Sequence, residues 1–406
     1  MVGELKHTEI GDIPVDWELQ TFDETFRVIS NNTLSRENLN NRGGAVRNIH
    51  YGDILTKFPE VLDCNEEEIP YVNELSLLSS STQLLQDGDI VVADTAEDET
   101  VGKVIEVQNL GDSKLVAGLH TIPCRVKKGD FAPGWLGYYM NSDLFHNQIL
   151  PYITGIKVSS ISKGAISETL ILVPPFDEQE KIVQSLNKIQ LLMTAETKVV
   201  NKIKLVKNGC LSKMFPQKDD TVPEMRLPGF TEAWEQRKLG ELCNITTGKL
   251  DANAMVSDGQ YDFYTSGIDV FKIDVAAFEG PAITIAGNGA SVGYMHLADG
   301  KFNAYQRTYV LTDFLADRQF LNVAIGNELP NKIQEEVRGS GIPYIVLNML
   351  TDLAIPFPSH EEQYAIGVYF QQLDHLITLH QCKCDKYSNI KKGMMSNLLT
   401  GKIRLV

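Results

Sequence analysis

The stretch Val173-Pro174-Pro175-Phe176-Asp177-Glu178-Gln179 has a second copy in the chain, Phe357-Pro358-Ser359-His360-Glu361-Glu362-Gln363. The two copies align without a gap, and the match continues through a long run of helix-forming sequence. In each copy a proline closes an apolar run and acidic residues follow. This pattern is typical of the start of a helix, because the helix dipole favours negative charge in the first turn. The repeat therefore determines how the rest of the chain is divided.

Apolar residues recur in both copies at alternating steps of four and three, which is the spacing of helices that pack along a seam. The residues predicted to form this seam are Ile182, Leu186, Ile189, Met193, Val200 and Ile203 in the first helix, and Ile366, Phe370, Leu373, Ile377, Tyr387 and Leu398 in the second. Each helix covers about 35 residues, which is about 50 Å at 1.5 Å per residue. We predict that the two helices pair along this seam as a coiled coil; two ordinary core helices are the alternative.

Two polar residues interrupt this seam at equivalent positions, Glu196 in the first helix and His380 in the second. Polar residues at such positions usually fix the register of a helix pair or stay partly hydrated. A pH-sensing role is the alternative.

The length and composition indicate a globular protein of two or more domains. The chain has 406 residues and 43% apolar content, which is enough to bury sizeable cores. No apolar run approaches the length of a membrane span, and Met1-Val2-Gly3-Glu4 lacks the basic-then-apolar pattern of a signal peptide. The six cysteines are scattered, which favours reduced thiols in a cytoplasmic protein.

The net charge of −16 argues against a protein that holds a polyanion without help. The acidic excess lies in residues 1–173 and 219–357, whereas residues 174–218 and 358–406 carry more basic than acidic side chains. If DNA is the ligand, we expect another subunit to supply much of the phosphate neutralisation.

A second repeated feature marks the start of each globular block, Asp16-Trp17-Glu18 in the first and Ala233-Trp234-Glu235 in the second. We interpret both tryptophans as core anchors rather than ligand-binding residues. The repeat therefore covers a globular block followed by a long helix, with blocks at 1–173 and 219–357 and helices at 174–218 and 358–406. The predicted fold class is α+β, with two mixed α/β blocks separated by the coiled coil and related by a pseudo-two-fold repeat.

Two motifs suggest catalysis or nucleotide binding, but neither fits. Val173-Pro174-Pro175-Phe176 is similar to an adenine methyltransferase motif, which needs Asn or Asp before the two prolines to bind the amino group of a flipped base. Valine cannot make that bond. The strand and glycine-rich loop over 282–293 are similar to a nucleotide-binding turn, but a further strand follows, so we predict a hairpin or a bulge loop. The histidines show neither metal-ligand spacing nor a catalytic order, and we predict no metal site and no catalytic residue.

The order of these features, present twice, resembles the specificity subunit of Type I restriction-modification systems. The residues that carry the resemblance are the two Trp-Glu segments, Pro174-Pro175-Phe176-Asp177-Glu178-Gln179, Pro356-Phe357-Pro358, Glu361-Glu362-Gln363 and Leu398-Leu399-Thr400-Gly401-Lys402-Ile403. The resemblance covers nearly the whole chain. It implies that each block is a target recognition domain reading one half of a bipartite DNA site, and that the two helices form an antiparallel coiled coil that sets the spacer between the two halves.

The resemblance also implies partners and a location. Two modification subunits, which carry S-adenosylmethionine and methylate adenine at N6, dock on the chain. Restriction subunits that use ATP and Mg²⁺ complete the system. The chain itself is expected to bind no cofactor, to be non-catalytic and to lie in the bacterial cytoplasm.

The resemblance gives no code for base reading, so candidate DNA-binding residues follow from chemistry. Groove readers are usually Arg, Lys, Asn, Gln, Ser or Thr. The candidates are His120, Thr121, Lys157 and Ser159 in the first block and Lys249, Asn288, Gln306, Arg307 and Thr308 in the second. For each, ordinary surface placement is the alternative. Two alternatives apply to the whole chain: a coiled-coil scaffold without sequence-specific DNA reading, and a self-contained methyltransferase or nuclease.

Overall fold

The computed structural model describes residues 4–155, 157–217, 220–336 and 343–405, with only the backbone of residue 336. Its contacts divide the chain into two compact units. The first unit comprises Met1–Ala195 and Cys384–Val406, and the second comprises Glu196–Lys383. Each unit therefore contains one globular block and a part of each long helix. No helix in the described ranges has the length and apolar character needed to cross a membrane.

The block of the first unit is mainly β-structure. Its strands are β1 Leu5–Thr8, β2 Gly11–Pro14, β3 Glu18–Thr21, β4 Phe26–Val28, β5 Leu39–Asn40, β6 Arg47–Ile49, β7 Val61–Asp63, β8 Tyr71–Val72, β9 Ile90–Ala93, β10 Thr95–Ala96, β11 Val104–Gln108, β12 Leu115–Ala117, β13 Thr121–Val126, β14 Ser159–Ser160 and β15 Leu170–Val173. Its short helices are α1 Phe22–Thr25, α2 Tyr51–Thr56, α3 Trp135–Tyr139, α4 Asp143–Ile149 and α5 Lys163–Ser167.

These strands form a five-stranded sheet in the order β4-β13-β9-β11-β7 and a four-stranded sheet in the order β12-β6-β8-β5. Strand β9 lies at the centre of the larger sheet, and its four residues are all buried. A run of Ile and Val without polar alternation is what a strand covered on both faces requires.

The block of the second unit is also mainly β-structure. Its strands are β16 Glu235–Lys238, β17 Asn244–Thr247, β18 Tyr261–Tyr264, β19 Val270–Ile273, β20 Phe278–Glu279, β21 Ala282–Ala286, β22 Met295–Ala298, β23 Lys301–Ala304, β24 Thr308–Thr312 and β25 Ala354–Phe357. They form two four-stranded sheets, β17-β24-β21-β22 and β19-β18-β23-β20. Strands β21 and β22 pair antiparallel, with Ala282 opposite Ala298, which confirms the predicted hairpin.

Two helices of 39 residues each extend through parts of both units. They are α6 Phe176–Met214 and α10 His360–Leu398. Between them lie the shorter α-helices α7 Leu239–Leu242, α8 Arg318–Glu336 and α9 Leu347–Thr351. Each long helix is a few residues longer than predicted.

Each unit shows an antiparallel contact between α6 and α10. In the first unit Ile182 and Leu186, near the start of α6, share a core with Leu398 and Leu399 at the end of α10. In the second unit Cys210 and Met214, at the end of α6, share a core with Ile366 and Phe370 near the start of α10. The α+β class and the packing of the two long helices are therefore confirmed.

Each block is joined to its long helix by an antiparallel pair of strands. One strand follows the repeated tryptophan, and the other precedes the helix. In the first unit β3 pairs with β15, and Glu18 lies opposite Val173. In the second unit β16 pairs with β25, and Glu235 lies opposite Phe357. Glu18 and Glu235 follow the two tryptophans, and Val173 and Phe357 precede the two long helices. Within each unit, the repeated segment around the tryptophan therefore lies beside the repeated segment that leads into the long helix.

Candidate nucleic-acid interface

The first turn of α6 is held to its block by a buried ion pair. Trp17 Nε1 donates a hydrogen bond to Glu178 Oε2 at 2.9 Å. Arg404 donates to both oxygens of Glu178, from Nε at 2.8 Å and from Nη2 at 2.7 Å. Such a bidentate contact is among the stronger charge-assisted pairs. We call Trp17, Glu178 and Arg404 the first clamp.

The first clamp keeps its carboxylate charged despite burial. The Glu178 side chain is 2% exposed and that of Arg404 is 7% exposed. Burial by itself raises the pKa of Glu178, but the hydrogen bonds from Arg404 and Trp17 outweigh it, so this pKa lies below its ordinary value. Arg404 also donates to Asp16 at 2.9 and 2.7 Å, and its guanidinium lies 5.6 Å from the centre of the Trp17 ring.

The second unit contains the same arrangement, which we call the second clamp. Trp234 Nε1 donates to Glu362 Oε2 at 3.1 Å. Arg226 donates to the two oxygens of Glu362 at 2.7 Å each. The interpretation of both tryptophans as core anchors is confirmed, since Trp17 is fully buried and Trp234 is 3% exposed.

The glutamine beside each clamp carboxylate binds backbone groups of the block and of the helix start. Gln179 Oε1 accepts from the Ala132 amide at 3.0 Å, and its Nε2 donates to the Pro174 carbonyl at 2.8 Å. Gln363 repeats this, accepting from the Asp317 amide at 3.0 Å and donating to the Pro358 carbonyl at 2.8 Å. The repeated Glu-Gln pair therefore fixes each helix to its block.

Candidate DNA-binding residues of the second block lie together at one end of a sheet. Strand β24 lies between β17 and β21, with Tyr309 opposite Thr247 and Thr308 opposite Ala286. The residues that follow β17 and β21 and those that precede β24 are consequently neighbours. They are Lys249, Asn288, Gln306 and Arg307, and we call them the sheet-end cluster.

Backbone hydrogen bonds hold the loops of this cluster close to one another. The Gln306 amide donates to the Leu250 carbonyl at 2.8 Å, and the Gly287 amide donates to the Arg307 carbonyl at 2.9 Å. A Cβ on Gly287 would lie 2.3 Å from that carbonyl oxygen, so only glycine permits this approach. The glycine-rich sequence thus serves loop packing.

The members of the cluster differ in exposure. Lys249, Gln306 and Arg307 are exposed, and Asn288 is half-buried. Ser266 Oγ donates to Asn288 Oδ1 at 2.7 Å, which orients the Asn288 carboxamide. Among the described residues, its NH₂ group remains free to donate. Thr308, at the start of β24, is 1% exposed, and its buried hydroxyl has no hydrogen-bond partner among the described residues.

In the first block, three of the four candidates lie around residues 94–96. His120 Nδ1 is 3.4 Å from Asp94 Oδ1 and 3.2 Å from Thr95 Oγ1, and the residue has a left-handed backbone with φ of 57°. Ser159 pairs with Ala96 across β14 and β10, and the exposed Lys157 lies two residues before it. Thr121 is instead buried, and its hydroxyl donates to the Gly118 carbonyl at 2.6 Å.

The residues predicted for the helix seam fall into two groups by burial. Those that are buried are Ile182, Leu186, Val200, Ile366, Phe370 and Leu398, and those that are half-buried are Ile189, Met193, Ile203, Leu373, Ile377 and Tyr387. The buried members concentrate near the helix ends, where the blocks add cover. Of the members toward the middle of the helices, Val200 is buried and the others are half-buried.

Sequence reasoning missed the two clamp arginines. Arg226 lies 12 residues after the end of α6, whereas Arg404 lies 6 residues after the end of α10, so the two arginines do not align in the repeat. Lys391 was also missed as an anchor, although it aligns with Lys207 in the repeat. It donates to Gln190 Oε1 at 2.8 Å and pairs with Glu60.

The model of the Type I restriction modification DNA specificity domain matches residues 14–205 and 231–386, so it covers most of the chain and occurs twice. The chain belongs to this family. Each match begins near a clamp tryptophan and includes a globular block with much of the long helix that follows. As a member of the Type I specificity family, the chain is a specificity subunit and not a catalytic one, as predicted.

Relatives in the Type I specificity family come from bacteria and archaea. The chain is 38% identical over 167 residues to the Type I restriction enzyme EcoDI specificity subunit of Escherichia coli, covering 41% of this chain and 37% of that protein. It is 24% identical over 421 aligned positions to the MjaX specificity subunit of Methanocaldococcus jannaschii, covering 98% and 96% of the two chains. The first match thus spans little more than a third of its relative.

A solved structure shows the same fold. The S subunit of the Type I restriction-modification system from M. genitalium superposes with a TM-score of 0.63 at 15% identity, over 98% of this chain and 99% of that chain. At this identity the likeness establishes the fold alone.

Proposed function

We propose that each block of this specificity subunit reads one half of a bipartite DNA site. The observation that carries this proposal is the sheet-end cluster of the second block. Four residues with polar side chains, from three separate chain segments, lie at the same end of the sheet, and three of them are exposed. Lys, Arg, Asn and Gln are the side chains that most often contact phosphates and base edges.

The chemistry of the cluster assigns different tasks to its members. Lys249, as a point charge on a flexible stem, suits a phosphate. Arg307 can form two hydrogen bonds with guanine, Gln306 presents the donor and acceptor pattern that matches adenine, and the NH₂ group of Asn288 can donate to a base. In the first block, His120, Lys157 and Ser159 are the proposed reading residues. Thr121 and Thr308 are proposed to support these surfaces through their buried side chains.

The two long helices are proposed to set the spacer between the half-sites. A helix of 39 residues is about 58 Å long at 1.5 Å per residue. That length corresponds to about 17 base pairs at 3.4 Å each, which is an upper scale for the separation.

We further propose that two modification subunits dock on this chain, bring S-adenosylmethionine and methylate adenine at N6. Exposed apolar residues at equivalent positions of the two repeat copies support two similar docking faces, Leu192 at 44% and Leu376 at 40% exposure. The net charge of −16 supports partners that supply positive charge to the duplex. Restriction subunits using ATP and Mg²⁺ would complete the assembly, in a bacterial cytoplasm.

The test compares two arginines of the second block in a complex assembled with modification subunits. Arg307→Ala removes a cluster side chain, whereas Arg237→Ala removes an exposed arginine from β16 at the start of the block. We expect Arg307→Ala to weaken DNA binding about 5- to 150-fold, equivalent to about 1–3 kcal/mol, and to relax methylation specificity in one half-site only. Arg237→Ala should change neither.

Mapping of N6-methyladenine across a genome gives the second readout. Relaxation confined to one half-site supports independent reading by the two blocks. Equal relaxation of both half-sites would contradict independent reading, and an unchanged site with unchanged affinity would favour a scaffold that does not read sequence.

A further inference from the structure

The centre of the coiled coil contains a polar contact between equivalent residues. Glu196 and His380 are 184 positions apart, the offset that also aligns Val173 with Phe357, and Glu196 Oε2 contacts His380 Nδ1. In an antiparallel pair of related helices, the position that meets its own equivalent is the centre of the pair. Here that position holds an acid in α6 and a base in α10.

This contact is sheltered from water, and a second base reinforces it. The side chains of Glu196 and His380 are 17% and 20% exposed. Lys383 Nζ lies 3.5 Å from the other oxygen of Glu196. The hydrogen bond from His380, followed by the charge of Lys383, holds the pKa of Glu196 below its ordinary value against the opposing effect of burial. The acid is therefore on α6 and both bases are on α10.

A second pair of equivalent positions shows the same asymmetry. Lys207 of α6 pairs with Asp374 of α10, whereas its equivalent Lys391 of α10 meets Gln190 of α6. The acid that serves Lys207 is thus on α10, and the equivalent position on α6 is neutral. An α6 helix paired with another α6 would offer glutamine in place of Asp374.

Pairing of like helices would place like groups at the centre. Two copies of α6 would bring two Glu196 carboxylates together, and two copies of α10 would bring together two His380 rings and two Lys383 ammonium groups. Like charges at short range in a partly dehydrated seam repel each other. The apolar positions of the seam are alike in the two helices and give little discrimination.

We propose that Glu196 and His380 select the partner of each long helix. They favour α6 with α10 and disfavour pairing of either helix with the same helix of a second copy of this chain. This selection is independent of DNA reading, so it stands whether or not the proposed function does.

Charge exchange in the full chain tests the proposal. His380→Glu reproduces the centre of an α6–α6 pair, and Glu196→His reproduces that of an α10–α10 pair. We expect His380→Glu to lower Tm by about 2–4 °C at low salt, equivalent to about 1 kcal/mol, with a smaller fall for Glu196→His. The double variant Glu196→His/His380→Glu should recover at least half of the loss, and about 1 M salt should reduce the deficit.

Gln381→Glu is the matched control, because it adds the same charge at an exposed neighbouring position. Its Tm should stay within about 1 °C of the parent, as is usual for surface substitutions. If the double variant melts as low as His380→Glu, or if Gln381→Glu lowers Tm equally, the central pair has no sign-dependent effect and the proposal fails.

Partner selection has its own readout. The His380→Glu and Glu196→His variants are co-expressed with different tags. Both long helices are acidic at their centre in the first variant and basic in the second, so the favourable pairing is between helices of different chains. We expect these two variants to co-purify as mixed dimers, whereas two tagged copies of the parent do not. Absence of mixed dimers would show that the pair stabilises the coiled coil without selecting partners, and would overturn the proposal.

Discussion

The contacts that hold each block to its long helix are the same in the two units, whereas the blocks themselves differ. Each block is opened and closed by one antiparallel strand pair and is held by a clamp of Trp, Glu and Arg. Between these points the sheets diverge, with five and four strands in the first block and four and four in the second. Contacts that fix a block to its helix are therefore retained, while the surface that each block presents varies.

Each clamp takes its arginine from the segment that follows the long helix of the other repeat copy. The arginine of the first clamp comes from the segment after α10, and that of the second clamp comes from the segment after α6. The first clamp has an additional carboxylate, Asp16, and an additional donor, the Leu405 amide. In the second clamp Nη1 of Arg226 is buried with no hydrogen-bond partner in the described part of the chain.

The largest expected effect comes from removing a clamp arginine. Arg404→Ala leaves Glu178 buried without its counter-charge, which typically costs about 3–5 kcal/mol of unfolding free energy. Arg226→Ala should do the same to Glu362. The chain has two units and need not unfold in one step, so amide hydrogen exchange, assigned to each unit, is the suitable measurement alongside urea unfolding.

We expect Arg404→Ala to accelerate exchange around β3 and β15, and Arg226→Ala around β16 and β25. Arg27→Ala, at an exposed position of β4, is the control and should stay within about 0.5 kcal/mol of the parent. Similar exchange in both units for either clamp variant would show that the clamps do not act on separate blocks.

A second contrast concerns the aligned lysines. Lys391 is 8% exposed, and its substitution by Met leaves Glu60 and Gln190 without their shared donor. Lys207 is 26% exposed, and its partner Asp374 is 49% exposed. We expect Lys391→Met to cost about 1–3 kcal/mol and Lys207→Met about 0.2–1 kcal/mol in unfolding free energy. Lys392→Met, at an exposed neighbouring position, is the control, and equal costs for Lys391 and Lys207 would remove the contrast.

Sequence reasoning succeeded where the signal is local or repeated. The seam periodicity predicts both long helices and their packing, the family resemblance implies that they are antiparallel, and the Trp-Glu repeat predicts the two core anchors. The hairpin after Ala282 follows from its strand pattern and glycine-rich loop. These features depend on residues close in sequence or on aligned copies of a segment.

The rest depends on contacts that sequence spacing does not encode. Arg404 lies 226 positions from Glu178, and Arg226 lies 136 positions from Glu362, so the two clamps show no common spacing. Burial of Thr121 and Thr308 depends on strand register, since a hydroxyl suited to groove reading on one face of a strand is covered on the other. Convergence of Lys249, Asn288 and Arg307 depends on the sheet order, which places β24 between β17 and β21.

The smallest expected effect isolates the additional carboxylate of the first clamp. A hydrogen bond from Arg404 is the main cause that holds the pKa of Asp16 below its ordinary value, against the opposing effect of burial. Because the pKa is lowered on folding, the stabilisation from Asp16 is present above its ordinary value of 3.8 and is lost as pH falls through its folded pKa.

Asp16→Asn should therefore cost about 0.2–1 kcal/mol near neutral pH, as is usual for a partly exposed ion pair, and the difference from the parent should vanish in acid. Urea unfolding of both proteins from neutral to acidic pH measures this, with the exposed Asp112→Asn as control. A difference that persists unchanged in acid would mean that the charge of Asp16 is not what Arg404 uses. The first clamp would then depend on Glu178 for its ion pair, as the second depends on Glu362.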